Sequence, residues 1–272
     1  MKIQNDKYYT PPELAKELIV KTIRFIGAEN ITDVIEPSAG NGSFSKWFGN
    51  NCTAYDIEPE AEGIIKQDFL TLDLPYKKGR LIIGNPPFGN SNHTSRKFYK
   101  KATELGDYIV FIQPISQYKN NLQMYLFDLV YSEDLGVVKY SDRELHCCFN
   151  IYKRPENGIL NKQPDYTLKD ITIIEHRRKK GEYQTAKNKD ISPDYDYAMC
   201  NFGNGCFGKV PEYIEQYANE LYFYCHKKEF LPRMLELLEF NTIREYTKSI
   251  SMKRLSKMRF YKYLKDNIEG IE

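Results

Sequence analysis

No pair of cysteines in this sequence has the C-x2-C spacing of a zinc site, and Cys52, Cys147, Cys148, Cys200, Cys206 and Cys225 form no regular framework. A disulfide-stapled secreted scaffold is therefore excluded, and no metal site is expected, even with His146 and His226 beside later cysteines. No apolar run reaches the roughly 18 residues that a membrane helix needs. Lys2, Asp6 and Lys7 interrupt any apolar stretch at the start, so no secretory leader is expected. The expected location is the cytoplasm, with reduced thiols. Net charge is only +2, so any nucleic-acid partner must be held by local patches rather than by a polycationic chain.

What is present is ordinary globular material. Hydrophobic residues at 41% and charged residues at 28% over 272 positions allow one large domain, or a large one with a smaller companion. The 22 tyrosines pair a flat apolar face with a polar tip, which suits contact with bases as well as packing. The first half alternates helix and strand signals. Leu14, Leu18, Ile19, Thr22 and Ile26 have helical spacing, with Thr10 as expected N-cap and Pro11 in the first turn. Strands are expected at 33–36, 53–56, 80–84, 108–112, 136–140 and 147–152, and helices opening at Ser43 and spanning 97–105. This rhythm predicts an α/β fold with a mostly parallel sheet covered on both faces. It stops near Arg154-Pro155, so the expected domains are 1–155 and 156–272, the second closing with helices at about 229–240 and 253–267.

Glu36-Pro37-Ser38-Ala39-Gly40-Asn41-Gly42 carries the chain from a strand into a glycine loop. The third glycine of G-x-G-x-x-G is missing, and no G-K-[ST] follows, so neither a dinucleotide fingerprint nor a P-loop is complete. A loop opened by glutamate complements a cation better than a pyrophosphate. S-adenosylmethionine, with its sulfonium and amino group, is such a ligand. Asp56 ends the next strand at a spacing that suits ribose hydroxyls, with Ile57 beside it. Asp68 could accept from an adenine amino group, with Phe69 against the ring.

Asn85-Pro86-Pro87-Phe88 follows an apolar strand at the same rim of the sheet. The residue types match a specific problem. An exocyclic amino nitrogen is a poor nucleophile because its lone pair is delocalised into the ring. Two acceptors aimed at its N–H bonds favour a pyramidal nitrogen and restore that lone pair. The Asn85 side-chain oxygen and the Pro86 carbonyl supply two acceptors, and the prolines fix their directions. Phe88 offers a face for stacking a base.

In these residues the chain resembles the amino-group DNA methyltransferases, adenine-N6 type, in which the tetrad reads [DNS]-P-P-[FYW]. Lys7-Tyr8-Tyr9-Thr10-Pro11-Pro12 is similar to that family's N-terminal cofactor motif, 36–44 to its glycine loop, Asp56 to its ribose-binding acid and Asp68-Phe69 to its adenine-binding pair. The motif order is that of the gamma arrangement and covers roughly residues 7 to 155. The resemblance implies a Rossmann-like S-adenosylmethionine-dependent methyltransferase fold with a smaller C-terminal target recognition region. It implies site-specific transfer to a flipped adenine in double-stranded DNA, with a cognate restriction endonuclease as an additional partner, and Phe149 against the flipped base.

Two basic clusters would meet the nucleic acid: 176–189, with Arg177, Arg178, Lys179, Lys180, Lys187 and Lys189, and 244–265, where Lys253, Arg254 and Lys257 lead. Residues 92–97 after the tetrad are expected to form a mobile loop closing over the base. Similar tetrads also act on RNA adenines, on glutamine side chains and on cytosine N4. Phe88 leans away from glutamine, and Asn85 leans away from cytosine N4. Cytosine C5 chemistry needs a cysteine, usually after a proline, and none of the six follows one. RNA remains the alternative substrate, and a non-catalytic nucleic-acid-binding module the rival class.

Overall fold

The computed structural model describes residues 9–140, 144–177, 191–203, 205–214, 216–250 and 254–272. The chain forms two compact units, Met1–Pro164 and Asp165–Glu272. Residues 156–164 run with the first unit, where Asn161 N–H donates to the Leu126 carbonyl and its side chain to Asp128.

The first unit starts with helix α1 (Pro12–Ile26), which buries Ala15, Leu18, Ile19, Thr22 and Ile26. Its cap is Pro11 rather than Thr10, one residue later than the sequence predicts. A residue preceding proline is pushed out of the helical region, and Pro11, with ψ 136°, precedes Pro12. Strands β1 (Asp33–Glu36), β2 (Cys52–Asp56), β3 (Ile65–Lys66), β4 (Arg80–Gly84) and β5 (Tyr108–Pro114) follow, with helix α2 (His93–Leu105) between the last two. A hairpin of β6 (Asp128–Lys139) and β7 (Glu144–Lys153) completes the sheet. Their spatial order is β3-β2-β1-β4-β5-β7-β6. Pairing is parallel from β3 through β5, whereas β7 lies antiparallel between β5 and β6. This is the expected Rossmann-like α/β arrangement.

Both faces of the sheet are covered, so its central strands read as continuous apolar runs. Leu81 and Ile83 of β4, with Val110 and Ile112 of β5, join the α1 side. Ile82, Ile109 and Phe111 join Phe98, Tyr99 and Ala102 of α2 on the other side. The helix expected to open at Ser43 is only a short 3-10 turn, Ser45–Trp47. Gly42 and Gly49 bracket it with φ of 77° and 55°, so no α-helix can propagate across them.

The second unit was legible in sequence only by its closing helices. It holds an antiparallel sheet of β8 (Ile171–Arg177), β9 (Tyr197–Cys200) and β10 (Asn219–Cys225), ordered β8-β10-β9. The single helix expected at 229–240 is α3 (Leu231–Leu238), followed after Glu239 by α4 (Phe240–Ser249). The Glu239 carboxylate accepts from the Asn241 and Thr242 N–H groups, capping the new helix. Helix α5 (Lys257–Asn267) starts at the Ser256 cap, four residues later than expected.

Candidate functional site

The strand order reverses between β1 and β4, so their C-terminal loops leave in opposite directions and open a crevice. A cavity of about 350 Å³ lies there, lined by residues of the loops after β1, β2 and β4. Tyr9, Thr10, Glu36, Pro37, Ser38, Ala39, Gly40, Asp56, Ile57, Asp68, Phe69 and Asn85, all named from sequence as cofactor residues, line it together. Pro11 does not; it caps α1 instead. Ser43, Phe44, Gln67, Leu70, Thr94 and Phe98 also line it. Ser43 and Phe44 close the glycine loop named from sequence, whereas Gln67, Leu70, Thr94 and Phe98 were missed. Phe98 lies on α2 with ordinary core spacing and is placed only by folding, where its ring stacks on Phe69 with centroids 5.4 Å apart.

The loops are tied to one another by their own polar groups. Gly40 N–H donates to Asp56 Oδ2 at 2.8 Å, and Glu60 N–H donates to the Gly40 carbonyl at 2.9 Å. Tyr9 Oη donates to Glu60, and its ring lies so close to Gly40 that an added Cβ would stand 2.9 Å from Tyr9 Cε1. Gly40 has φ 53°, a left-handed conformation that glycine adopts without cost. Asp56 therefore does two jobs: it lines the cavity and holds the glycine loop closed. The second Asp56 oxygen accepts from Glu58 N–H at 2.8 Å. Asp68 caps the turn Phe69–Thr71 by accepting from Leu70 N–H, in addition to facing the cavity.

Glu36 differs from the expectation of a carboxylate presented directly to a cation. It is 2% exposed, and its two oxygens accept from the Phe44 and Ser45 N–H groups at 3.2 and 2.7 Å. The loop folds back on its own first residue because those N–H groups would otherwise be buried unsatisfied. Burial pushes the carboxyl up to about 7, against the pull of the Ser45 and Phe44 N–H groups.

The tetrad divides. Asn85 and Pro87 line the cavity, and Pro86 between them is buried. Asn85 Nδ2 donates to Thr10 Oγ1 at 3.3 Å, and Ser38 Oγ donates to the Asn85 carbonyl at 3.4 Å. Ser43 Oγ donates to the Thr10 carbonyl at 3.0 Å, so the start of α1, the β1 loop and the β4 loop meet in one knot. With the amide nitrogen turned to Thr10, the Asn85 oxygen is the acceptor arm of the side chain. Phe88 is not an open stacking face. It is 7% exposed and belongs to the α1-side core, because the chain turns inward after Pro87. Phe149 is likewise core, 1% exposed, with its ring centroid 6.3 Å from Tyr131.

Residues 93–97, expected as a loop, are the first turn of α2. Ser91 and Asn92 before it are left-handed, with φ of 51° and 62°. Asn92 Nδ2 donates to Ser116 Oγ and Gln123 Oε1 at 3.4 and 3.3 Å, holding the end of the tetrad loop against the segment after β5. Burial pushes the Cys147 thiol up to about 11, and Cys148 higher still, so neither supplies a thiolate.

Of the recognition residues, Lys253 lies outside the described residues, as do Arg178, Lys179, Lys180, Lys187 and Lys189 of the first basic cluster. Lys7 and Tyr8 of the N-terminal motif do too. Arg254 donates to Glu175 Oε1 at 2.7 Å and is half-buried, whereas Lys257 is exposed.

The cavity chemistry is one-sided. The carboxylates of Asp56 and Asp68 and the buried carboxyl of Glu36 stand at successive strand ends, and no lysine or arginine is among the lining residues. Apolar faces come from Ile57, Phe69, Leu70 and Phe98. Such a set fits a ligand with a cationic part, hydroxyls and a flat ring, and disfavours a pyrophosphate.

No protein-family model matches the chain, and no curated protein matches it in sequence. Solved structures similar to it include a candidate RNA methyltransferase from Pyrococcus horikoshii, at 16% identity over 56% of this chain and 90% of that one, with a TM-score of 0.45. Another is protein 1320 of Thermoplasma acidophilum, 22% identical over 56% of this chain and 91% of that one, TM-score 0.43. The 23S rRNA methyltransferase ErmE is 14% identical over 55% of this chain and 70% of its own, TM-score 0.41.

Proposed function

We propose that this protein is an S-adenosylmethionine-dependent methyltransferase acting on the N6 amino group of adenine in DNA. The observation that carries the reading is the placement of Asn85. Its amide is anchored by Thr10 and its carbonyl by Ser38, at the edge of a carboxylate-lined cavity.

The residues fit the cofactor. Asp56 and Asp68 would accept from ribose hydroxyls and the adenine amino group, with Ile57 and the stacked Phe69–Phe98 pair against the ring. Tyr9, Gly40 and Glu36 would surround the methionine end. When bound, the cofactor supplies an electrophilic methyl on sulfur. Transfer of that methyl to the target nitrogen would leave S-adenosylhomocysteine and an N-methylated base, with one amine proton passing to water. Asn85 Oδ1 and the Pro86 carbonyl would accept from the two N–H groups, so that the growing positive charge on nitrogen would meet dipoles already in place. An adenine in a duplex would have to flip out to reach them. Phe88 and Phe149 act in this reading as core supports of the tetrad loop rather than as stacking surfaces. A restriction endonuclease of matching specificity is a further expected partner.

The test is transfer of a labelled methyl group to duplex DNA and to structured RNA, with the nucleoside product identified after digestion. Label in N6-methyladenosine from RNA alone would reassign the substrate. Asn85→Ala should abolish transfer while cofactor binding, measured by calorimetry, survives.

A further inference from the structure

The 30 residues from Leu74 to Thr103 hold seven lysines and arginines and no aspartate or glutamate. The fold separates these cations into two groups. Lys77, Lys78 and Arg80 lie at the start of β4, on the rim opposite the candidate site, where Lys77 and Arg80 pair with Asp33. The other four lie on α2, which leaves the tetrad loop at the rim where the site opens.

Helix α2 divides its surface three ways. Thr94 and Phe98 line the cavity, and Ser95, Tyr99 and Ala102 are buried. Arg96, Lys97 and Lys100 are exposed on the remaining face, with His93 at its head. At 3.6 residues per turn these four side chains fall within about 100° of one another and follow the helix for about 10 Å from the tetrad loop. Among the described residues, Arg96, Lys97 and Lys100 form no ion pair. Lys101 pairs with Glu104, the one acid of the helix, at 3.0 Å.

Helix stability does not ask for this charge. The N-terminus of a helix carries the positive end of its dipole and favours acidic side chains in the first turn. Here that turn has none, and the Asn92 amide holds Ser116 and Gln123 instead of capping the helix. A local rule broken in this way, beside the site, marks a surface that serves a ligand. The cations are strung along the helix rather than converging on one point, so they match a row of negative charges, such as a phosphodiester backbone carries, better than a single small anion.

We infer that the exposed face of α2 binds phosphates, with Arg96, Lys97 and Lys100 holding the DNA backbone beside the nucleotide that enters the site. This deepens the reading above and rests on it for the class of polymer. Such contacts position a strand and carry no base sequence.

The experiment uses the full chain with S-adenosylmethionine present and a fluorescein-labelled, adenine-containing duplex, titrated by anisotropy at several salt concentrations. The triple variant Arg96→Gln, Lys97→Gln, Lys100→Gln keeps helix-forming side chains and removes the charge. It should bind roughly a hundredfold more weakly, with the salt slope lowered by about two to three. Its cofactor affinity by calorimetry should equal that of the wild type. Lys97→Gln alone should lower the slope by about one, and it tests the same claim if the triple variant fails to fold. Lys78→Gln, from the same acid-free run but the opposite rim, should bind as the wild type does. A triple variant with wild-type affinity and slope, or equal weakening by Lys78→Gln, would overturn the inference and leave the methyltransferase reading standing. Displacement of the duplex by polyglutamate as readily as by unlabelled duplex would also overturn it, in favour of an acidic protein partner. A wild-type chain that binds the cofactor but no oligonucleotide would remove the polynucleotide reading itself.

Discussion

Thr10 and Asn85, 75 residues apart in sequence, are joined by a hydrogen bond from Asn85 Nδ2 to Thr10 Oγ1. The bond fixes which end of the Asn85 amide can face a substrate, since the nitrogen is spent on Thr10. It also explains why Thr10, expected as a helix cap, leaves α1 capped by Pro11: its hydroxyl serves the site instead.

Thr10→Val should keep the side-chain shape and remove the acceptor. One neutral hydrogen bond contributes about 1 kcal/mol, so kcat should fall roughly tenfold as the Asn85 amide loses its orientation. The Kd for S-adenosylmethionine should change little. Steady-state kinetics with calorimetry separate the two, and a loss confined to cofactor affinity would count against the orienting role.

Gly40→Ala should damage cofactor binding more than folding. The added Cβ meets the Tyr9 ring at 2.9 Å and stands at φ 53°. The left-handed backbone alone costs about 1–2 kcal/mol. Displacing Tyr9 opens one wall of the cavity, so the Kd should rise by about tenfold or more. An unchanged Kd would place Tyr9 outside the cofactor site.

Glu36 makes stability depend on pH in a stated direction. Its folded value, about 7, lies above the ordinary carboxyl value of 4.5. The folded chain then holds a proton that the unfolded chain has already lost. The contribution is full below pH 4.5, declines as pH rises through 7, and is level above that. The full swing is at most about 3 kcal/mol. Urea denaturation of Glu36→Gln beside the wild type should show the wild type losing stability over this window and the variant flat by comparison. Parallel curves would mean that the carboxyl ionises normally in the folded state.

Arg154 closes the first unit far from the cavity. Its Nε donates to Asp107 Oδ1 at 3.1 Å, its Nη2 to the Thr103 and Gly106 carbonyls, and its guanidinium lies 4.7 Å from the Phe127 ring centroid. Arg154→Ala should cost about 3 kcal/mol, because it leaves a largely buried carboxylate without its cation. Cofactor affinity of the folded fraction should be unchanged, and a denaturant midpoint equal to wild type would refute the clamp.

Much of the first unit was readable in the sequence because its signals are local. The short apolar stretches within 33–36, 80–84 and 108–112 read as strands of a covered sheet, and glycine, proline and asparagine mark the loops that carry a ligand. The sheet order then brings Glu36, Asp56, Asp68 and Asn85 to one rim. What local signals do not contain is the direction in which a side chain turns once neighbours from distant segments arrive. Phe88 and Phe149 carry the residue type of a stacking platform, yet the core takes both, because burying a large ring stabilises the fold more than exposing it. Glu36 turns inward to satisfy two N–H groups eight and nine residues away. In the second unit the strands pair antiparallel across long connections, so the sheet cannot be read from any window of sequence. Sequence alone determined which chemistry the first unit could hold. Only the packed chain decided which of those residues face the ligand and which face the core, because that choice is made by contacts between segments.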